Sequence, residues 1–263
     1  MDLRLQGKRA FISGSSQGIG YAIAASLAAE GAEVMLNGRD ALRVEAAVER
    51  LRADYPDARV SGRAADFAKA DEVAALTAAL GEIDILVNNV GLFGLADFAS
   101  IADDDWMRYF EVNVMSGVRL SRAVLGGMRQ RGWGRIVFIS SESGVNVPAD
   151  MVHYGMTKAA MLAVSNGLAK LTRGTAVTVN TVLGGPTFSH GVAASVAAVA
   201  EAQALSAEAM KDAIIGQNST TLLERFIEPT EIAHLVTYLA SPLSSATNGA
   251  ALRADGGVLT AML

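Results

Sequence analysis

Two rhythms alternate along this chain. Short runs rich in Val, Ile, Leu and Ala at 10–12, 33–36, 60–64, 83–87, 134–139, 177–182 and 250–253 have the length of buried strands. Longer Ala-rich stretches at 19–30, 41–52, 70–80, 103–131, 151–172 and 230–240 have the length of helices. Strands that alternate with helices predict a parallel sheet covered by helices on both faces. Gly31 follows the first helical stretch, where a left-handed C-cap belongs. Thr230, beside Pro229, is the expected cap of the last long helix. The Ala-rich segment 192–213 reads as an inserted helical pair, with no repeat, linker or low-complexity tail elsewhere.

The 263 residues fit one large α/β domain. With 51% hydrophobic and 19% charged residues, the chain has material for a substantial core. A net charge of −5 without a basic patch argues against nucleic acid and anionic membrane as partners. The lack of Cys excludes disulfides, thiol catalysis and thiolate metal sites. His190 and His234 have no ligand spacing, so no catalytic metal is expected. Asp2 and Arg4 put charge where a signal peptide needs an apolar run, which predicts a cytoplasmic protein. Residues 174–200 carry no formal charge, yet Gly174, Asn180, Gly184, Gly185, Pro186 and Gly191 interrupt them. A spanning helix needs roughly 20 regular apolar residues, so a strand, a turn and a soluble helix are expected instead.

The first strand runs into Ser13-Gly14-Ser15-Ser16-Gln17-Gly18-Ile19-Gly20, and a helix follows. Glycines at such a turn let backbone N–H groups approach a diphosphate, and the helix N-terminus adds partial positive charge. The spacing is Gly-x-x-x-Gly-x-Gly, looser than the common dinucleotide fingerprint. Gly14-Ser15-Ser16-Gln17-Gly18 also reads as the Gly-x-Ser-x-Gly elbow of serine hydrolases, with Ser16 as nucleophile and His190, His234 and Asp255 as available partners. That elbow normally follows several strands, whereas this loop follows the first.

Tyr154 and Lys158 are four residues apart and share a face if the stretch is helical. A free tyrosine titrates near pH 10, and a close ammonium typically lowers such a value by about 1–3 units. The pair could therefore exchange a proton with an alcohol or carbonyl oxygen. A surface Tyr and Lys would look the same in isolation. Ser141, however, stands just beyond an apolar strand, where a hydroxyl can hold a reacting oxygen.

Together the glycine loop, Asn88-Asn89-Val90-Gly91, Asn113, Ser141, Tyr154 and Lys158 resemble the short-chain dehydrogenase/reductase family in order and spacing, from Lys8 to Gly257. The resemblance implies a single-domain, doubly wound Rossmann-type sheet over 1–263 with a small helical lid at about 187–220. It implies an oxidoreductase moving hydride between a nicotinamide cofactor and a carbonyl or secondary alcohol. Tyr154 would donate or accept the proton, and Ser141 would hold the substrate oxygen. Lys158 would lower the Tyr154 pKa and bind the nicotinamide ribose, and Asn113 would hold a relay water. Gly14, Ser16, Gln17, Gly18, Ile19 and Gly20 would surround the cofactor phosphates and ribose. Asp66 would lie at the adenine, with Phe67 beside it among the cofactor-binding residues, Asn88 and Gly91 on the adenosine side, and Thr187 at the nicotinamide carboxamide. Three departures stand out: Ser13 for the usual Thr, Val90 for Ala, and Gly184-Gly185 for Pro-Gly, which would loosen that turn.

The second strand ends Leu36-Asn37-Gly38-Arg39, without the acid that commonly holds a ribose 2′-hydroxyl. Arg39 suits a 2′-phosphate, so NADP(H) is expected, with NAD(H) as the alternative. The substrate pocket implied by the resemblance includes Phe93, Ser143, Val145, Val147 and His153, with Phe188 and His190 in the lid. The apolar character of that lid segment favours a hydrophobic or aromatic carbonyl or secondary alcohol. The small-residue helices at 103–131 and 151–172 suit close packing against a symmetry mate, and the resemblance implies a homodimer or homotetramer. Besides the hydrolase, the other alternative is a nonenzymatic NADP-binding sensor, since fold does not fix function.

Overall fold

Strand residues of this chain point alternately to two apolar layers, and that alternation fixes the architecture. In the computed structural model, which describes residues 1–203, 205–217 and 220–262, seven strands are laid out. They are β1 (Arg9–Ile12), β2 (Glu33–Gly38), β3 (Val60–Ala64), β4 (Ile85–Asn88), β5 (Trp133–Ser141), β6 (Ala176–Gly184) and β7 (Ala251–Ala254). All pair in parallel, in the order β3-β2-β1-β4-β5-β6-β7. Such a sheet is buried on both faces, which is why its central strands read as unbroken apolar runs.

Ile12, Leu36, Val87, Val137 and Val182 enter one layer. There they meet Ile23 and Leu27 of α1 (Gly18–Ala29), Val48 and Leu51 of α2 (Ala41–Asp54), and Val236 and Leu239 of α9 (Pro229–Ala240). Their chain neighbours Phe11, Leu86, Ile136 and Phe138 enter the opposite layer. That layer is completed by α3 (Ala70–Ala79), α5 (Ser116–Arg131) and α6 (Val152–Lys170). The strand order reverses between β1 and β4. The carboxyl ends there open the crevice in which ligands of doubly wound sheets bind.

Three sequence expectations change. The helix expected over 103–131 is α4 (Asp103–Phe110), a π-helical turn (Glu111–Met115) and then α5. Thr230 does not cap α9: Glu228 does, with Pro229 at the first helical position. The Glu231 carboxylate reaches back to accept the Glu228 N–H at 2.8 Å, and proline's missing N–H costs nothing there. Nor is the Gly184-Gly185 turn loose. Gly184 is paired with both Ser141 and Ala254, and a Cβ on Gly185 would lie 2.4 Å from the Asp255 carbonyl oxygen. The lost proline is replaced by strand pairing and close backbone contact. Gly31 behaves as expected, with φ of 81° just past α1.

Candidate active site

The glycine loop leaves β1 at the crevice and is shaped by its neighbours. Gly14 has φ of 61°, and a Cβ on Gly20 would lie 2.4 Å from the Gly14 carbonyl oxygen, so both positions require glycine. Asn37, fully buried near the end of β2, holds the loop with three bonds and reaches β3 with a fourth. Its Oδ1 accepts the Gly14 N–H at 3.1 Å and its Nδ2 donates to the Arg63 carbonyl at 3.0 Å. Its backbone oxygen accepts the Ser15 N–H at 2.7 Å, and its own N–H donates to Ser15 Oγ at 2.9 Å. From β4, Asn89 Nδ2 donates to the Ser13 and Gly14 carbonyls at 3.0 and 2.9 Å. The Ser13 hydroxyl accepts from the Asn89 and Val90 backbones at 2.9 and 3.2 Å, so the serine does what the usual threonine hydroxyl could. Gln17 and Arg39 are exposed, while Ser16, Gly18 and Ile19 are half-buried.

The other expected cofactor residues divide. A Cβ on Gly91 would lie 3.4 Å from Lys158 Nζ, so Gly91 borders that lysine. The Asp66 side chain accepts the Ala68 N–H at 3.0 Å at the end of β3. Phe67, the next residue, turns the other way and is 3% exposed in the apolar layer with Val73 and Leu76. Asn88 is also buried, and its Nδ2 donates to Ser121 Oγ at 3.2 Å on α5. The Thr187 hydroxyl donates to the Gly185 carbonyl at 2.8 Å.

Ser141 ends β5, while Tyr154 and Lys158 lie one turn apart on α6. Lys158 Nζ is 5.5 Å from the Tyr154 ring centre and donates to the Ile139 carbonyl at 3.0 Å. Burial pushes the Tyr154 phenol upward, reinforced by the negative Glu142. Burial pushes the Lys158 ammonium down to about 8, with Glu142 pulling it back up. The expected lowering of Tyr154 by Lys158 does not appear, and burial dominates the phenol instead. Asn113 sits in the π turn. Its Oδ1 accepts the Leu92 N–H at 2.6 Å, and its Nδ2 donates to the Leu92 carbonyl at 3.0 Å and to Thr157 Oγ1 at 2.9 Å. That side chain clamps the segment after β4 onto α6.

Glu142 escaped the sequence reading. The Ser141 hydroxyl donates to its Oε2, and the Ser143 hydroxyl donates to its Oε1 at 3.2 Å. An acid directly after the Ser141 position was its only signal in the sequence. His153 is buried, with its ring centre 4.2 Å from that of Tyr109 and 6.1 Å from that of Trp106. The side chain of His190 lies outside the described residues. Among the described residues no group of His, Asp or Glu could hold a metal, and no helix is long and apolar enough to cross a membrane.

A glycine loop at the switch point of a parallel sheet, with Ser, Tyr and Lys gathered beside it, defines a nucleotide-dependent oxidoreductase. The chain belongs to the short-chain dehydrogenase family, whose model matches residues 8–200. It is 45% identical over 260 residues to the uncharacterized oxidoreductase YvaG of Bacillus subtilis, covering 98% of each chain. The L-sorbose reductase from Gluconobacter frateurii, solved with NADPH and L-sorbose, matches with a TM-score of 0.94 at 31% identity over 100% of both chains. An actinorhodin polyketide ketoreductase with NADPH matches with a TM-score of 0.87 at 30% identity over 96% of this chain and 97% of that one. The chain is thus an NAD(P)-dependent oxidoreductase of hydride transfer between carbonyl and alcohol. Membership sets aside both the Ser16 hydrolase and the nonenzymatic sensor.

Proposed function

We propose that the protein is an NADP(H)-dependent carbonyl reductase in which Tyr154 delivers the proton. The observation that carries this reading is the grouping of Ser141, Tyr154 and Lys158 at the end of β5 and on one face of α6, with Gly91 beside the lysine. The residues fit a dinucleotide: the pinned glycine loop and the first turn of α1 offer backbone N–H groups at the switch point, and Gly91 lies between that loop and Lys158. When bound, the nicotinamide supplies the hydride. Ser141 holds the substrate oxygen, the Tyr154 hydroxyl gives its proton to that oxygen, and Lys158 favours the phenolate left behind. In the alcohol-oxidising direction the same phenolate takes the proton back.

Choice of NADP(H) is supported by the end of β2. A Cβ on Gly38 would meet Ser16 Oγ at 3.0 Å, so its absence leaves room beside that hydroxyl, next to the exposed Arg39. The NADPH complexes of the two structural neighbours agree with this. The segment at about 187–220 is proposed as a lid. It holds α7 (His190–Ala202) and α8 (Ala207–Gln217), with a small apolar cluster of its own around Val196, Ala200 and Met210. A Cβ on Gly18 would lie 3.7 Å from Ser189, and one on Gly191 would lie 3.5 Å from Phe93, so the lid's first turn bridges the glycine loop and the pocket rim. A homotetramer is proposed from the open surfaces at Gly126 of α5 and Gly167 of α6, where an added Cβ would meet nothing within 4 Å. Sedimentation at micromolar protein checks this, and a monomer there refutes it.

The decisive test of mechanism is Tyr154→Phe. General acid–base catalysis contributes roughly 10²–10⁴-fold, so turnover of any carbonyl substrate should fall by at least that factor. Cofactor affinity should change little. A variant that keeps near wild-type turnover refutes the role of Tyr154.

A further inference from the structure

We propose that Glu142 selects carbonyl substrates that carry a hydroxyl on the carbon next to the reacting carbonyl. The inference rests on the carbonyl-reductase reading and concerns which carbonyls the site accepts.

The argument starts from one proton. A serine hydroxyl has a single hydrogen to donate and two lone pairs with which to accept. Ser141 Oγ accepts the Ser143 N–H at 3.1 Å and donates to Glu142 Oε2. Only a lone pair remains, which suits the Tyr154 hydroxyl, but a substrate carbonyl needs a donor. As long as Glu142 holds that proton, Ser141 has none to offer the substrate oxygen.

The carboxylate creates a second difficulty. Reduction of a carbonyl builds negative charge on its oxygen, beside Ser141. A neighbouring carboxylate with no donor between opposes that charge. A hydroxyl on the adjacent carbon resolves both problems. It donates to Glu142 and replaces Ser141 there, so the Ser141 proton turns to the substrate oxygen. Glu142 is only half-buried, and so is open to such a donor. Its other oxygen stays tied to Ser143 at 3.2 Å, which fixes the carboxylate beside the reacting group. A substrate with an alkyl or ether group in that place leaves the carboxylate on Ser141.

The test compares three ketones of nearly equal size: hydroxyacetone, methoxyacetone and butanone. Methoxyacetone keeps the electron-withdrawing oxygen and lacks the donor, so it separates hydrogen bonding from activation of the carbonyl. The aryl set 2-hydroxyacetophenone, 2-methoxyacetophenone and propiophenone covers a larger pocket. Each is assayed with NADPH and with NADH, which keeps the outcome independent of cofactor choice. In the wild type, kcat/KM for the hydroxylated member of at least one set should exceed that of its methoxy partner by roughly 10- to 100-fold. In Glu142→Ala that ratio should fall to near one, while kcat/KM for the plain ketone rises. Glu142→Gln keeps the shape, weakens the acceptor and should give an intermediate ratio. A purely structural role would lower all substrates together and leave the ratio unchanged. An unchanged ratio in both variants, or a wild type without the preference, overturns the inference while carbonyl reduction stands. Failure of the wild type to reduce any of the six overturns the inference and counts against the carbonyl-reductase reading as well.

Discussion

The two ends of the crevice are built by different means. At the cofactor loop, Asn37 and Asn89 tie Gly14 and Ser15 in place through buried or half-buried partners, and the Ser13 hydroxyl holds the chain after β4. At the catalytic end the groups are bonded to the wrong partners for chemistry. Ser141 donates to Glu142, Lys158 donates to Ile139, and burial raises the Tyr154 phenol while it lowers the Lys158 ammonium to about 8. The loop recognises a constant ligand and gains from rigidity, because ordering it at binding would cost affinity. The catalytic end must change its bonds during each turnover, so its resting bonds are exchangeable ones.

The sharpest way to break this comparison is to loosen the rigid half. Asn37→Ala leaves the Gly14 N–H and the Arg63 carbonyl without their side-chain partners and opens a small cavity. A buried group left unpaired costs about 1–3 kcal/mol, so thermal or denaturant unfolding should report a loss of about 2–4 kcal/mol. Affinity for NADPH and NADH should fall together, by roughly tenfold or more, measured by titration of cofactor fluorescence. If both affinities stay at the wild-type value, the loop is not held by Asn37 and the contrast with the catalytic end loses its basis.

The same contrast explains how much could be read from the sequence. The glycine loop, Ser141, Tyr154 and Lys158 were legible because their spacing is set by local geometry: a strand–helix turn, a strand end and one helical turn. The seven strands were legible because a sheet buried on both faces leaves continuous apolar runs. Asn37 was not singled out, since a buried polar side chain at a strand end shows its purpose only when a second strand and a loop pack around it. Phe67 is expected with Asp66 among the cofactor-binding residues. Only the fold shows that consecutive residues there face opposite ways and that Phe67 belongs to the core. Asn113 was recognised by position, but a continuous helix gave no hint of the π turn that brings its amide to Leu92 and Thr157. Glu142 stayed hidden because an acid after a serine has no meaning until both hydroxyls are seen to converge on it.

A smaller effect is expected at the outer edge of the rigid half, where Arg39 is proposed to carry cofactor choice. Arg39 is exposed just beyond β2, and Gly38 beside it leaves the space next to Ser16 free. NADPH would gain a charge-assisted contact there that NADH cannot make. Such hydrogen bonds are worth about 1.5–3 kcal/mol, so the wild type should prefer NADPH by roughly one to two orders of magnitude. Exposure to solvent and salt places the expectation toward the lower end. Arg39→Ala should erase most of the preference by weakening NADPH alone. That outcome differs from the Asn37 variant, which weakens both cofactors. The complementary Gly38→Asp is a poorer probe, because its Cβ would also crowd Val44 at 3.1 Å and disturb the loop for either ligand. The measurement is the dissociation constant of each cofactor for wild type and Arg39→Ala at two ionic strengths. A preference that shrinks with salt in the wild type and vanishes in the variant assigns it to the guanidinium. Equal affinities in the wild type, unchanged by the substitution, would make Arg39 an ordinary surface cation and overturn the NADP(H) assignment, with hydride transfer through Tyr154 untouched.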